Sequence, residues 1–184
     1  LVVSDTPLVY GILYFMQIIV TSPKYGNQIA IIDRKDYKMV NEYHWVLDVR
    51  KNGRRYARAT IKIGVNNFKY IYMHRLIMGF PKKKTVDHID HDGLNNCRKN
   101  LRIASNAQNL CNVKVQAGSK TGYKGVYKYP PHRYNGKYST QIFSNGKRIF
   151  GGYFKTAEDA ARKYNELAIK YHGEYAFLNK IPNE

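Results

Sequence analysis

Acidic side chains are scarce in this chain: 13 Asp and Glu stand against 31 Lys and Arg among 184 residues, a formal net charge of +18. Such an imbalance points to a polyanionic partner. Cysteine is almost absent. Cys97 and Cys111 are too far apart for a CxxC pair, which excludes a zinc ribbon or a disulfide framework and fits reduced, intracellular thiols. A long hydrophobic run is missing too. Asp5 and Pro7 interrupt the apolar stretch 1–20, no basic residue precedes it, and Leu8 to Val20 is short for a bilayer span, so neither a secretory signal nor a membrane partner is expected. Residues before Met16 read as an appendage or an over-extended start, and residues 1–20 as an apolar extension.

What the chain does have is tyrosine, 17 of them. A flat ring with a polar tip can pack on sugars and bases while its hydroxyl reaches a phosphate, so basic plus aromatic favours nucleic acid over membrane. Residues 17–33 read as a first strand pair. From 28 to 75 the segments IAIID, WVLDV, RYARATIKIG and YIYMHRLIM predict a small antiparallel sheet, with Asn52-Gly53 as a two-residue hairpin turn and MHRLIMGF as a short helix or strand. Between 82 and 112 short apolar pieces flank a loop dense in Asp, Asn and His. Asp92-Gly93 marks a bend, Asn100 to Ile103 a returning strand, and Ser105 with Gln108 a capping box that starts a helix carrying Asn109. The local order is strand, loop, strand, helix.

Hydrolysis of a phosphodiester at neutral pH needs a deprotonated water and a cation to stabilise charge on the phosphate and leaving oxygen. Asp87-His88 supplies a hard anionic oxygen suited to Mg²⁺ or Mn²⁺ beside an imidazole that can accept a proton, and Asn109 offers a second oxygen ligand. Asn95 and Asn96 read as loop hydrogen-bonding residues, Asp90 as a turn residue or a partner behind the site, and His74 as a brace for the sheet.

Residues 86–110, VDHIDHDGLNNCRKNLRIASNAQNL, resemble the HNH motif of phage and intron-encoded homing endonucleases. The resemblance implies a ββα-metal fold, His88 as general base, Asp87 and Asn109 as ligands of one Mg²⁺ or Mn²⁺ per active site, and Asn100 bracing the loop as part of the catalytic constellation. His91 stands where that family often has glycine. The resemblance also implies cleavage of double-stranded DNA by a monomer, in a cytoplasmic setting such as a nucleoid or a phage-infected host.

Residues 113–121 read as a linker. Beyond it, GVYKY, KYSTQIF and KRIFGGYF are three strand candidates joined by turns at Asn135-Gly136 and Asn145-Gly146. A helix capped by Thr156 follows, with Ala160, Ala161, Tyr164, Leu167 and Ala168 on one stripe and Gly173 past its end. Residues 122–155 carry seven basic side chains and no acid, which assigns phosphate contact to the sheet rather than the helix. Residues 122–179 resemble the Apetala or ethylene-response-factor DNA-binding domain through the KGV start, GKRIFGGYF, the TAEDAARKYNELAIKYHG helix and the closing LN. The resemblance implies a sheet in the major groove. The family's Arg and Trp positions are held here by Lys124, Tyr127, Tyr129 and Tyr138, and Lys128, Arg133, Lys147 and Arg148 complete the expected DNA contacts.

The expectation is thus an α+β chain: a nuclease domain at 21–112 with a small antiparallel sheet and a ββα-metal motif, a linker, and a three-stranded antiparallel sheet packed on one helix at 122–180. The alternatives are a non-catalytic DNA-binding regulator, against which Asp87, His88 and Asn109 argue together, and a basic RNA-binding protein.

Overall fold

A computed structural model describes residues 14–115 and 118–182. Its elements are β1 (Phe15–Val20), β2 (Gln28–Asp33), α1 (Tyr37–Val40), β3 (Val46–Val49), β4 (Arg55–Gly64), β5 (Asn67–Tyr72), α2 (Met73–Ile77), β6 (Thr85–His88), β7 (Leu101–Ala104), α3 (Asn106–Cys111), β8 (Val126–Lys128), β9 (Tyr138–Ser144), β10 (Lys147–Phe154) and α4 (Ala157–His172). Helices and small antiparallel sheets are mixed, as α+β implies. Among the described residues no helix is long and apolar enough to cross a membrane. The apolar extension expected at 1–20 lies outside the described residues up to position 13, and from Phe15 it is strand.

Two compact units divide the chain between Ser105 and Asn106. In the first, the single sheet expected from 28 to 75 is instead two: a β1–β2 hairpin and a β3–β4–β5 meander. The cause is what borders β2. Ile31 exchanges backbone hydrogen bonds with Leu94 and Asn96, so the polar loop, not β3, lies along that strand. Ile18, Val20, Ala30 and Ile32 from the hairpin and Ala57, Ala59 and Ile71 from the meander bury their alternate residues in one core with Trp45, Val86, Leu94 and Leu101. Trp45 satisfies its indole N–H on the Val40 carbonyl at 2.9 Å.

The turn at Asn52-Gly53 is wider than expected. Arg50 N–H reaches Arg54 O, Gly53 alone takes a positive φ of 80°, and Asn52 instead accepts the Arg54 N–H through its side chain. That is the three-residue pattern with glycine at the left-handed position. MHRLI resolves as the helix α2, where Met73, Leu76 and Ile77 face the core.

In the second unit β10, β9 and β8 form a three-stranded antiparallel sheet with α4 against one face. Thr156 caps α4 by accepting the Asp159 N–H at 3.1 Å, and Gly173 ends it at φ 55°. Asn145 and Gly146 both take positive φ and make the tight two-residue turn between β9 and β10. The connection expected at Asn135-Gly136 runs instead from 129 to 137. Pro130 and Pro131 have no N–H to extend the ladder, so pairing stops at Tyr129 N–H to Lys137 O. The helix α3, expected to close the nuclease domain before a boundary at 112, packs in the second unit: Lys124 Nζ and Phe177 N–H both donate to the Cys111 carbonyl.

Candidate active site

The first unit presents His88 at the last position of β6, across from Leu101 on β7. Its ring is buried and packs against Tyr56 of β4 and edge-on to His74 of α2, whose centroid is 5.0 Å away. The side-chain partner of the ring is Asn96, with Nε2 and Oδ1 at 3.3 Å. Asn96 is fully buried and its amide orientation is fixed, because Nδ2 donates to the Leu94 carbonyl at 3.1 Å and to the Gly93 carbonyl at 3.4 Å. Oδ1 is then the acceptor, and this contact favours the tautomer with the proton on Nε2. Burial lowers the His88 pKa, and the opposing influence of Asn96, Asp90, Asp87 and Asp92 does not overcome it. A neutral, oriented imidazole at neutral pH can serve as a general base.

Asn100 closes the loop that follows His88. Its Nδ2 donates to Asp90 Oδ1 and to the Asn95 carbonyl, both at 2.8 Å, and its Oδ1 accepts the Asp90 N–H at 3.0 Å. Asp90 also accepts from Asn95 Nδ2 and from the Asp92 N–H. Burial alone would raise the Asp90 pKa, but these hydrogen bonds outweigh it and the pKa is lowered. The Asn100 side chain is therefore tied into the loop. His91 sits in the loop at φ 67°, the left-handed region that favours glycine. Arg98 anchors the far end of the loop, gripping the buried Asp36 with contacts of 2.7 to 3.2 Å.

Asp87 is directly opposite Arg102 on β7, and Arg102 Nε and Nη2 both donate to Asp87 Oδ2, at 3.0 and 2.8 Å. Both side chains are almost fully buried. Neither this pairing nor the anchoring of His88 by Asn96 was recognised in the sequence. The signal existed for the first, since placing His88 opposite Leu101 sets Asp87 opposite Arg102. The second needed the loop's path. Asn109 lies on α3, in the second unit.

Asp87 offers a carboxylate oxygen, which suits a hard divalent cation. Among the described residues no three His, Cys, Asp or Glu side chains form a group that could hold a metal ion.

In the second unit, Tyr127, Lys128, Arg133, Lys147 and Arg148 are exposed, and Tyr129 is half-buried in a group of rings with Tyr134 and Tyr153. Two of the expected DNA contacts are turned to other uses. Lys124 donates to the Cys111 carbonyl at 2.6 Å, and burial draws its pKa down to about 8. Tyr138 packs with Val126, Ala160 and Ala161 on the α4 side of the sheet.

No family model matches the chain. It is 32% identical over 153 residues to an uncharacterized HNH endonuclease of Acanthamoeba polyphaga mimivirus, an alignment that covers 83% of this chain and 75% of that protein. Shorter matches join it to plant proteins. It is 40% identical over 57 residues to the APETALA2-like protein 2 of Oryza sativa subsp. japonica, covering 31% of this chain and 12% of that protein. It is 37% identical over 59 residues to an AP2-like ethylene-responsive transcription factor of Arabidopsis thaliana, covering 32% of this chain and 12% of that one. The viral relative supports a nuclease. The chain belongs to the HNH endonuclease family.

Proposed function

We propose that the chain is a metal-dependent DNA endonuclease of the homing type, with His88 as general base, Asp87 as a ligand of one Mg²⁺ or Mn²⁺, and an Apetala-like C-terminal sheet that binds double-stranded target DNA. The observation that carries the reading is the neutral, buried His88 anchored through Nε2 on Asn96 beside Asp87. Nδ1 takes the proton of the attacking water. Asn96 holds the ring in the tautomer that permits this, and Asn100 holds the loop. Arg102 fixes the Asp87 carboxylate through Oδ2. When bound, the divalent cation stabilises negative charge on the phosphate and the leaving oxygen. The positive charge of residues 122–155, with the matches to plant DNA-binding proteins, supports the assignment of target binding to the second unit.

The test is cleavage of plasmid DNA with Mg²⁺ or Mn²⁺. His88→Ala abolishes nicking while leaving DNA affinity within about twofold, and chelation by EDTA stops the wild-type enzyme. Undiminished cutting by His88→Ala overturns the assignment.

A further inference from the structure

The face of the C-terminal sheet away from α4 is aromatic. Val126, Ile142, Ile149 and Phe154 point to the helix side, so alternation along the strands sends Tyr127, Phe143, Arg148 and Phe150 to the other. Phe143 is 59% exposed and Phe150 53%. Phe150 and Tyr153 are three positions apart and would fall on opposite faces of a regular strand. A bulge between Phe150 and Gly152, with Gly152 at φ 116°, returns Tyr153 to the open face, where its ring lies 5.1 Å from that of Phe150.

The 129–137 connection adds a third ring. Tyr134 stacks on Tyr153 at 4.6 Å and 23°, and does so from a backbone with φ 55°, a conformation that is unfavourable for a bulky residue. The neighbouring Tyr134 phenol, followed by burial and Tyr129, pushes the Tyr153 pKa up to about 12. The result is a continuous row, Phe150–Tyr153–Tyr134, in a segment that has seven basic residues and no acid.

Such a row is poorly suited to reading an intact duplex. Grooves present base edges, which are read by hydrogen bonds from Arg, Asn or Gln, whereas the faces of paired bases are hidden by their neighbours. Flat aromatic faces flanked by cations match unpaired bases, which offer a face to stack on and a phosphate to neutralise. We propose that this open face is a binding site for a single-stranded DNA segment, whose bases stack on Phe150, Tyr153 and Tyr134 while Arg148 meets its phosphates. The proposal rests on the reading of the sheet as the DNA-binding surface and names a further ligand for it. The sheet would hold a strand that is already open or becomes so during cleavage.

The experiment uses the full chain in EDTA, so that nothing is cut. Fluorescence anisotropy compares a labelled 20-nucleotide single strand of mixed sequence with the blunt duplex of the same sequence. Phe150→Ala and Tyr153→Ala are each expected to weaken single-strand binding about tenfold or more and duplex binding less than about threefold. Equal losses on both, no loss on the single strand, or no measurable single-strand binding by the wild type would overturn the proposal. Lys147→Glu with Arg148→Glu tests the underlying reading separately: duplex affinity unchanged by that pair removes the sheet as a DNA surface altogether. Should an aromatic variant misfold, photocrosslinking of the wild-type protein to a single strand carrying 5-iododeoxyuridine decides the matter. Adducts on Tyr134, Phe150 or Tyr153 support the proposal, and adducts confined to other peptides overturn it.

Discussion

Asn96 Oδ1 meets His88 Nε2 at 3.3 Å, and the same amide is pinned from behind by two backbone carbonyls. The residue that orients the proposed base is therefore itself oriented by the turn of the loop. Asn96→Ala is expected to lower the rate of DNA nicking by about ten- to a hundredfold. It also removes the side chain that occupies a fully buried position, at a cost of about 1–3 kcal/mol. The ¹⁵N NMR signature of the imidazole separates the two effects: wild type shows His88 protonated on Nε2 at neutral pH, and the variant shows a mixture of tautomers. An unchanged tautomer in Asn96→Ala would leave Asn96 a purely structural role.

Arg102 and Asp87 are both nearly buried, so removal of either one takes a bidentate ion-pair partner from a buried charge. Asp87→Ala is expected to destabilise the fold by about 3–5 kcal/mol as well as abolish cleavage. The double variant Asp87→Ala, Arg102→Leu recovers much of the stability and none of the activity. Thermal melts and plasmid nicking on the three proteins check this, and a double variant that cuts DNA would disprove the role of Asp87.

His74 has no hydrogen-bond partner for its buried Nδ1, and burial, followed by the nearby His88 and Arg75, lowers its pKa to about 3. The unfolded chain takes up a proton at this residue below about 6.5 and the folded chain does not. Its contribution is therefore intact above that value and is lost progressively as pH falls towards 3, on the order of a few kcal/mol in all. Melting temperature should fall steeply between pH 7 and pH 4. In His74→Phe the slope is shallower, and His88, whose pKa is lowered in the same direction, accounts for part of what persists. An identical slope in the variant would show that His74 does not drive the effect.

Charge reversal at Lys147 and Arg148 should reduce the slope of log affinity against log salt for duplex DNA by about two or more. Reversal is preferable to deleting residues 122–184, because deletion also removes Lys124 and Phe177, which hold the Cys111 carbonyl at the end of α3. A nicking defect in such a truncation would report damage to that helix together with the loss of binding. A salt slope unchanged by the reversal would exclude both side chains from phosphate contact.

Local pattern made much of this legible in the sequence. The strand-loop-strand order around His88, the Thr156 cap and Gly173 terminus of α4, and the Asn145-Gly146 turn depend on residues near each other in the chain, and the structure has them where the pattern places them. Three features were set by distant partners and escaped notice. Ile31 is bordered by the polar loop rather than by β3, which splits the first sheet. Lys124 was expected at the DNA from its charge and its place in the resembled domain, and in the structure it donates to the carbonyl at a helix end. The row of rings required the bulge at Gly152, which no alternation of residues reveals, since it breaks that alternation.

Gly93 lies where any side chain would collide with the Arg55 carbonyl and the Tyr56 ring. The loop is thereby seated directly on β4, the strand whose Tyr56 also touches His88. Natural variation should collect at the exposed Ile89, while Asp90, tied to Asn95 and Asn100, is kept and the stretch from Gly93 to Asn96 keeps its length. A deep mutational scan would show tolerance at Ile89 and intolerance at Asp90 and Gly93.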